Sequence, residues 1–441
     1  MLTAFRVGPG GRLAGTLRVP GDKSVSHRSI MLGAIADGTT RVSGFLEGAD
    51  AISTMNVFRA LGVRIEGPEE GRVVVHGVGR DGLRAPRERL DCGNAGTAMR
   101  LLMGLLAGQP FESVLIGDES LSRRPMRRVS EPLARMGARI ETAPGGTPPV
   151  RILPAGGLTA IDYRMPMASA QVKSALLLAG LYADGVTSVT EPAPTRDHTE
   201  RMLGGFGVAV ERDGATVRLR GGQPLRAAEI DVPADISSAA FFVVGASIAP
   251  GSDLLLRHVG LNPTRTGILD ILRLMGADLT VENPRDVGGE PVGDLRVRSA
   301  VLRGIEVPPD LVPLAIDEFP VLFVAAACAE GRTVVTGAEE LRVKESDRIA
   351  VMADGLAALG VGCTPTQDGM IIAGRGGDRT VFTGGTVASH GDHRIAMSFA
   401  IAALRAGGEL LIRDTLNVAT SFPGFVPLAA GAGLAIRDAA D

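Results

Sequence analysis

The chain has 441 residues, enough for two ordinary domains that each bury a hydrophobic core. With 45% hydrophobic and 22% charged residues, the composition is typical of a globular protein and excludes a disordered one. A formal net charge of −3 and an aromatic content of 3% without Trp argue against nucleic-acid binding by bulk charge or base stacking.

Cysteine usage and apolar runs indicate the compartment. Cys92, Cys328 and Cys363 are isolated in sequence, without a CxxC or a metal-ligand spacing, so we predict a reducing environment and no metal site. The N-terminus lacks the apolar stretch of a secretory signal, and the apolar runs at 241–249 and 319–328 are too short to cross a bilayer. We therefore expect a cytoplasmic protein in which both runs are buried core segments.

Taken in chain order, the predicted helices fall into two classes that repeat with one period. In one class the helix ends on a glycine that leads into a strand, as glycine does where a helix stops left-handed. These glycines are Gly62, Gly137, Gly207, Gly276, Gly360 and Gly433, at steps of 75, 70, 69, 84 and 73 residues. In the other class an apolar helix follows a polar start, counted from Lys23, Asn94, Ser169, Asp235, Asp317 and Asp392 at steps of 71, 75, 66, 82 and 75 residues. Two markers in phase predict six repeats of about seventy residues.

Strand-like runs complete each repeat. Segments such as TRVSGFL, RVVVHGV, SVLIGD, TSVTEP, TVRLRG and TVVTGAE are rich in β-branched residues and are bounded by turn residues. Each repeat therefore has the predicted order βαβαββ, and six repeats suit an α/β protein with two domains of three repeats each. We expect one domain at 21–234 and a discontinuous one at 1–20 plus 235–441, with two chain crossings between them. The longest step holds residues 281–294, which we expect to form an inserted loop because turn residues occur throughout.

The residues that could carry chemistry gather at the helix starts, where unpaired N–H groups and a partial positive charge favour anions. Cationic side chains at or near these starts are Lys23, Arg28, Arg124, Lys344, Arg348 and Arg394. The runs 122–128 and 169–173 offer further arginines and hydroxyl, amide and ammonium donors, the last from Lys173. Capping or a solvated basic face would explain each run separately, but together they predict a small substrate with more than one phosphate or carboxylate. No P-loop or dinucleotide fingerprint is present.

The best candidate for proton transfer is the Asp317-Glu318 pair, which precedes a buried apolar helix. A helix N-cap is an equally good interpretation of this pair. His390 and His393 have no third ligand near them in sequence, so a metal site is disfavoured.

The sequence resembles the enolpyruvyl transferases in motifs that follow the family order from residue 21 to residue 425. These motifs are GDKSVSHR, GNAGTAMR, SRRPMRR, SAQVKSALLLAG, TRDHTERM, DEFP, LRVKESDR, GDHRIAMSFA and TSFPGF. Within the family they are most similar to the branch that acts on shikimate 3-phosphate, and to its divergent second class. The resemblance implies an inside-out α/β barrel fold with three βαβαββ units in each of two domains, and an active site in the cleft between them.

The resemblance also implies an activity. The enolpyruvyl group of phosphoenolpyruvate would pass to the 5-hydroxyl of shikimate 3-phosphate with release of phosphate, by addition and then elimination through a tetrahedral intermediate. No cofactor or metal would be needed, the protein would be a monomer, and glyphosate would be a candidate inhibitor.

The resemblance also implies the site residues, because each motif of the family contains positions that bind substrate or act in catalysis. Those implied for shikimate 3-phosphate are Lys23, Ser24, Arg28, Ser169, Ala170, Gln171, Arg196, Asp317 and Lys344. Those implied for phosphoenolpyruvate are Lys23, Asn94, Gly96, Arg124, Gln171, Arg348, His393 and Arg394. The implied catalytic residues are Asp317, which takes the 5-hydroxyl proton, Glu345, which transfers a proton at the methylene carbon, and Lys23.

Three positions depart from the common bacterial pattern. Ala170 stands where a second Ser is usual, Leu101 where Pro is common, and Thr420 where a Lys often precedes Phe-Pro, which removes a cation from the phosphoenolpyruvate site. Gly96 is retained, so the tolerance to glyphosate that accompanies Ala at this position is not predicted.

Three other functions fit these residues less well. A sister transferase that uses a UDP-amino sugar usually carries a Cys in the loop corresponding to 119–128, and this stretch has none. A non-catalytic anion-binding protein would not require Lys23, Asp317 and Glu345 together. An RNA-end-processing enzyme of similar repeat fold is disfavoured by the acidic net charge.

Overall fold

A computed structural model describes residues 3–287 and 289–440. Met1, Leu2, Gly288 and Asp441 fall within the predicted domains or the predicted loop but lie outside the described residues. Chain contacts divide the protein into two compact units. Unit 1 contains Met1–Pro20, Pro233–Arg285 and Pro291–Asp441, and unit 2 contains Gly21–Val232 and Asp286–Glu290.

Helices and strands alternate along the described chain. The α-helices are Lys23–Ala34 (α1), Ala49–Ala60 (α2), Gly96–Ala107 (α3), Arg127–Arg135 (α4), Ala170–Gly180 (α5), His198–Gly205 (α6), Ile236–Ile248 (α7), Gly267–Leu274 (α8), Phe319–Ala327 (α9), Arg348–Ala358 (α10), His393–Ala402 (α11), Val418–Ser421 (α12) and Phe425–Ala432 (α13). Short 3-10 helices lie at Leu121–Arg123, Pro309–Leu311, Glu339–Val343 and Ala403–Arg405. The strands are Thr3–Val7 (β1), Ala14–Leu17 (β2), Asp37–Ser43 (β3), Arg64–Glu69 (β4), Arg72–Val78 (β5), Leu90–Asp91 (β6), Ser113–Ile116 (β7), Arg139–Ala143 (β8), Thr147–Leu153 (β9), Leu158–Thr159 (β10), Asp162–Arg164 (β11), Ala183–Asp184 (β12), Val186–Thr190 (β13), Val210–Asp213 (β14), Thr216–Arg220 (β15), Glu229–Asp231 (β16), Asp253–Gly260 (β17), Asp278–Val287 (β18), Glu290–Arg298 (β19), Glu330–Val335 (β20), Cys363–Pro365 (β21), Met370–Arg375 (β22), Gly385–Ala388 (β23), Leu410–Arg413 (β24) and Ile436–Ala440 (β25).

The sheets repeat one strand pattern, and the predicted α/β fold class is confirmed. Unit 2 holds sheets of strand order β16-β3-β5-β4, β6-β7-β9-β8 and β11-β13-β15-β14. In each of them the first pair is parallel and the other two pairs are antiparallel. Unit 1 holds the orders β18-β19-β17-β2, β20-β22-β21 and β23-β24-β1-β25. In the parallel pairs β6-β7, β11-β13 and β23-β24 a helix lies between the two strands in sequence, which is the βαβ part of a βαβαββ repeat.

The two classes of predicted helix have the structures that their sequences favour. The stop glycines all have φ between +81° and +115°, the left-handed conformation that a side chain would strain; they are Gly62, Gly137, Gly207, Gly276, Gly360 and Gly433. Every residue of α7 and α9 is buried, as expected for helices that are apolar on all sides. In unit 2, α3 packs on α5 so closely that a Cβ at Gly104 would lie 2.0 Å from Ala175 O.

The boundary between the units lies two residues before the predicted one, between Val232 and Pro233. Main-chain hydrogen bonds give the reason. The N–H of Val232 donates to Ser43 O in unit 2, whereas the N–H of Ala234 donates to His258 O in unit 1.

The loop predicted at 281–294 is wrong, because the described part of this segment forms β18 and β19. Its turn residues are compatible with strands at this place, since Pro284 lies in β18, an edge strand, where proline is tolerated. Residues Asp286–Glu290 belong to unit 2 although the rest of both strands belongs to unit 1. The chain therefore passes between the units at four points instead of the predicted two.

Candidate active site

The start of α1 presents a buried guanidinium in unit 2. Arg28 donates from Nε to Thr199 Oγ1 (2.7 Å), from Nη1 to Ser24 O (2.9 Å) and from Nη2 to Ser174 Oγ (3.1 Å). All three acceptors are neutral, and they use three of the five N–H donors of a guanidinium, which leaves two. A buried cation held by neutral groups is a strong binding partner for an anion.

The charge environment of Arg28 is consistent with an anion site. Burial lowers the pKa of Arg28 to about 10, so the group is still protonated at neutral pH. The Glu200 carboxylate acts against burial, whereas the Arg196 guanidinium lies near enough to lower this pKa further. Arg196 is half-buried and comes just before α6, so the structure brings it close to Arg28 as the motifs predict.

Lys23, the first residue of α1, is paired with a carboxylate that sequence reasoning missed. Its Nζ forms an ion pair with Asp50, a buried residue in the first turn of α2. The α1 helix itself is capped by Asp22, whose Oδ1 accepts from Val25 N (2.9 Å). The helix start is therefore held in place before any ligand arrives.

The start of α3 holds a second cationic group of unit 2. Arg124 donates from Nη2 to Asn94 Oδ1 (2.9 Å) and to Ser120 Oγ (3.3 Å), and Asn94 donates to Asp118 Oδ2 (2.7 Å). A Cβ at Gly96 would stand 3.1 Å from Arg124 Nη1, so glycine allows the guanidinium to lie against the main chain at the helix N-terminus. Three of the residues implied for phosphoenolpyruvate thus lie together.

The arginine run at 122–128 divides into two kinds of residue. Arg123 and Arg127 form exposed ion pairs with Glu119 and Glu131, as a solvated face would. The guanidinium of Arg128, like that of Arg124, instead turns toward the α3 and α5 starts. Only these two fit the predicted ligand role.

Gln171, in the first turn of α5, is fixed by neighbours from three segments. Its Oε1 accepts from Arg100 Nη1 (2.6 Å) and from Arg128 Nη2 (3.3 Å), and its Nε2 donates to Thr97 Oγ1 (3.0 Å). Two cationic donors on Oε1 leave the amide nitrogen as the group that can face a ligand. Arg100 was not predicted, although it lies one turn after Gly96 in GNAGTAMR.

The neighbouring residues of α5 have different roles from one another. Ser169 is the N-cap of α5, and its Oγ accepts from Val172 N (3.4 Å), while Ala170 adds no polar group. Lys173 was predicted to offer a ligand donor, and this is wrong. Its side chain is fully buried, with Nζ 3.0 Å from Glu191 Oε2 and 2.7 Å from Glu200 Oε1. The apolar face of α5 carries Lys173 inward, where its charge needs these partners.

Unit 1 contains the predicted acids, and it surrounds them with cations. Asp317 Oδ1 lies 3.6 Å from Lys344 Nζ and 3.5 Å from Arg348 Nη1, and the side chain is 13% exposed. Glu318, not Asp317, is the N-cap residue of α9. The N-cap interpretation of the pair therefore holds for Glu318, and Asp317 precedes the cap with its carboxylate beside two cations.

Arg348 is the centre of this cluster. It is fully buried, and it donates from Nε to Asp392 Oδ2 (2.8 Å) and from Nη2 to Glu345 Oε2 (2.6 Å). Burial alone would lower the pKa of Arg348, but the charges of Asp392, Glu345 and Asp317 outweigh it and raise that pKa. Burial would also raise the pKa of Asp392, but Arg348 outweighs it and holds that pKa below its usual range. Both groups therefore stay charged at neutral pH.

Arg394, the second residue of α11, is held by two residues that precede α9. Its Nη1 donates to Asp317 O (3.0 Å) and lies 3.6 Å from Glu318 Oε1. His393 is buried at the first position of the same helix. Thr420 directs its hydroxyl to Asn417 O (2.7 Å) instead of supplying a cation.

The predicted site residues are divided between the two units, with ten in unit 2 and six in unit 1, and the two groups differ in charge. The unit 2 group is cationic with few acids, and the unit 1 group alternates acids and cations. Asp50 and Arg100 are contacts that sequence reasoning missed, because their partners Lys23 and Gln171 lie far away in sequence.

Residues 3–287 and 289–440 lack the features of two other classes of site. No three His, Cys, Asp or Glu side chains there converge as a metal site requires. In the same ranges no helix is both long and apolar enough to cross a membrane.

The family model described as EPSP synthase (3-phosphoshikimate 1-carboxyvinyltransferase) matches residues 7–428. The chain belongs to the EPSP synthase family. Membership supports enolpyruvyl transfer in the shikimate pathway as the function, as the nine motifs had implied.

Relatives and solved structures agree with this family. The chain is 67% identical to the 3-phosphoshikimate 1-carboxyvinyltransferase of Alkalilimnicola ehrlichii, covering 98% of this chain and 96% of the relative. It is 66% identical to the protein of the same name from Methylococcus capsulatus, covering 98% of each. An EPSP synthase structure from Acinetobacter baumannii superposes with a TM-score of 0.92 at 59% identity, covering 99% of this chain and 100% of that one. The enolpyruvyl transferase NikO from Streptomyces tendae shares the fold alone, with a TM-score of 0.77 at 18% identity and 99% coverage of both chains.

Proposed function

We propose that this EPSP synthase family member transfers the enolpyruvyl group of phosphoenolpyruvate to the 5-hydroxyl of shikimate 3-phosphate and releases phosphate. Residues of both units act on this one substrate pair. We also propose that it works as a cytoplasmic monomer and that glyphosate competes for the phosphoenolpyruvate site.

The observation that carries the proposal is the environment of Arg28. Its buried guanidinium is held by hydroxyls and a carbonyl, so a phosphate dianion would meet no competing carboxylate among its hydrogen-bond partners. Arg196 adds a second guanidinium beside it. We assign the 3-phosphate of the shikimate substrate to these two groups, with Ser24, Ser169 and Gln171 as its further ligands.

We assign the remaining cationic side chains to the binding of phosphoenolpyruvate. Lys23, Arg124, Arg348 and Arg394 would neutralise its phosphate and carboxylate, with Asn94, Gly96, Gln171 and His393 beside them. Arg394 is held in place by Asp317 O and by Glu318. Fixed cations of this kind stabilise charge that develops in the transition state without reorganising.

The chemistry then divides between two acids of unit 1. Asp317 accepts the proton of the 5-hydroxyl while that oxygen attacks C2 of phosphoenolpyruvate, and Glu345 delivers a proton to the methylene carbon, which becomes a methyl group. In the second step Glu345 takes a proton back from the methyl group, the C2–O bond to phosphate breaks, and the enol ether forms as phosphate leaves with the proton held by Asp317. Lys344 and Arg348 lie beside the Asp317 carboxylate and hold it in place as the base.

A phosphate-release assay tests the proposal. The purified protein is given phosphoenolpyruvate with either shikimate 3-phosphate or a UDP-amino sugar, and glyphosate is added in a separate arm. We expect release with shikimate 3-phosphate only. A folded protein that releases no phosphate from this pair would refute the assignment.

A further inference from the structure

Asp50 is a buried acid for which neither the motifs nor the proposed steps provide a role. Its side chain is 4% exposed and forms an ion pair with the ammonium group of Lys23. Asp50 also lies in the first turn of α2, where the helix dipole favours its charge. A carboxylate next to an anion-binding lysine weakens anion binding by repulsion, so its presence there needs another reason.

A second contact joins the same two helices one turn further along. His27 Nδ1 lies 2.8 Å from Thr54 Oγ1, and the Thr54 hydroxyl donates to Asp50 O (3.3 Å). Since that hydroxyl has one proton to donate, it accepts from His27, so Nδ1 carries the imidazole proton. Burial lowers the pKa of His27 to about 3, with the Lys23 charge acting in the same direction, so the ring stays neutral.

The spacing makes the two contacts a matched pair. Lys23 and His27 are four residues apart on α1, and Asp50 and Thr54 are four residues apart on α2. Residues at this spacing share one helix face, so one face of α1 is joined to one face of α2 at two successive turns.

Composition adds an independent observation. The chain contains three lysines, Lys23, Lys173 and Lys344, against 43 arginines. Each ammonium group lies within ion-pair distance of at least one carboxylate. A lysine ammonium on a four-carbon stem has many rotamers, and a fixed partner removes that freedom before the ligand binds.

We propose that Asp50 is a positioning residue that holds the Lys23 ammonium in its reactive place, with His27 and Thr54 fixing the α2 segment that carries Asp50. The proposal rests on the proposed function, because it takes Lys23 to be the residue that contacts phosphoenolpyruvate. Pre-positioning improves turnover more than ground-state affinity, because the ammonium no longer has to be ordered in the transition state. Removal of the Asp50 charge also removes its repulsion of the substrate anion.

The test is a double-mutant cycle of Asp50→Asn and Lys23→Met, with Asp81→Asn as control. Asp81 is an exposed acid of unit 2 that pairs with Arg80. We expect Asp50→Asn to lower kcat about tenfold while KM for phosphoenolpyruvate stays the same or falls, and the control to keep both values. In the Lys23→Met background the same change should lower kcat less than twofold. Equal losses in both backgrounds, or no loss in either, would overturn the proposal.

A second measurement does not depend on turnover of the Lys23→Met variant. Acetic anhydride labels amines, and with three lysines in the chain mass spectrometry can follow each one separately. Asp50→Asn should speed acetylation of Lys23 at least threefold and leave the rate at Lys344 unchanged. An unchanged rate at Lys23 would refute the contact. Failure of the proposed function would appear separately, as absent phosphate release by the unmodified protein.

Discussion

His27 should make the stability of unit 2 depend on pH, and the effect can be calculated. The folded protein holds the pKa of His27 at about 3, whereas an unfolded histidine titrates near 6.5. Below pH 6.5 the unfolded chain takes up a proton that the folded chain does not. The contribution of His27 to stability is therefore complete above pH 6.5 and is lost as the pH falls toward 3.

The magnitude follows from linkage. The difference between the folded and unfolded pKa of His27 corresponds to roughly 5 kcal/mol of unfolding free energy in total. About 2.7 kcal/mol of this is lost between pH 7.5 and pH 4.5. The loss between pH 7.5 and pH 4.5 would hardly change if the folded pKa were near 4, because that loss is set mainly by protonation of the unfolded chain. His27→Asn places an amide donor near the position of Nδ1 and cannot titrate, so its cost in packing is independent of pH.

Urea unfolding followed by tyrosine fluorescence is the assay. The chain has no Trp, and both tyrosines, Tyr163 and Tyr182, lie in unit 2, so the signal reports that unit. The free-energy difference between the unmodified protein and His27→Asn should shrink by about 2.7 kcal/mol from pH 7.5 to pH 4.5. His76→Asn controls for removal of a histidine from the same unit. If the difference changed by less than about 1 kcal/mol, the unfolded-state argument would be refuted.

Three further predictions concern single sites. Asp317→Asn should lower kcat about 10²- to 10⁴-fold without changing the calorimetric affinity for shikimate 3-phosphate, and a loss below fivefold would exclude it as the base. Gly96→Ala places a Cβ 3.1 Å from Arg124 Nη1, so KM for phosphoenolpyruvate should rise several-fold at nearly constant melting temperature. An equal loss of affinity for shikimate 3-phosphate would contradict that local effect. Lys173→Met leaves two buried carboxylates without their cation. It should lower the unfolding free energy, measured by urea unfolding, by about 3 kcal/mol or more. A loss under about 1 kcal/mol would argue against a buried ion pair.

The sequence by itself determined the repeat and the positions of the helix ends. A glycine past the helix and a polar residue before an apolar run act through the local main chain, so Gly62 and its counterparts adopt the predicted conformation. A helix without charged residues whose other residues are mostly apolar is stable when it is buried, which placed α7 and α9 in the core. Because the motifs lie at these helix starts, the grouping of Arg28, Gly96 and Gln171 in unit 2 was predictable as well.

Tertiary structure alone decided which charged residues face each other. Arg124 and Arg127 lie in one run, yet one turns to Asn94 and the other to solvent, because only one direction meets the α3 start. The local sequence around Lys173 likewise could not show that its side chain is buried inside unit 2. The partners of a charged side chain come from segments brought together by packing, often many residues away, and their identity depends on which helices touch.

The segment 281–294 shows the same limit for the main chain. Its Asn, Pro and Gly residues favour turns locally, but pairing between β18 and β19 outweighs that preference. Local chemistry therefore specified where helices begin and end and which charges they carry. The ion pairs that give those charges a role formed only once distant segments had packed, since an electrostatic partner is fixed by distance in space and not by distance along the chain.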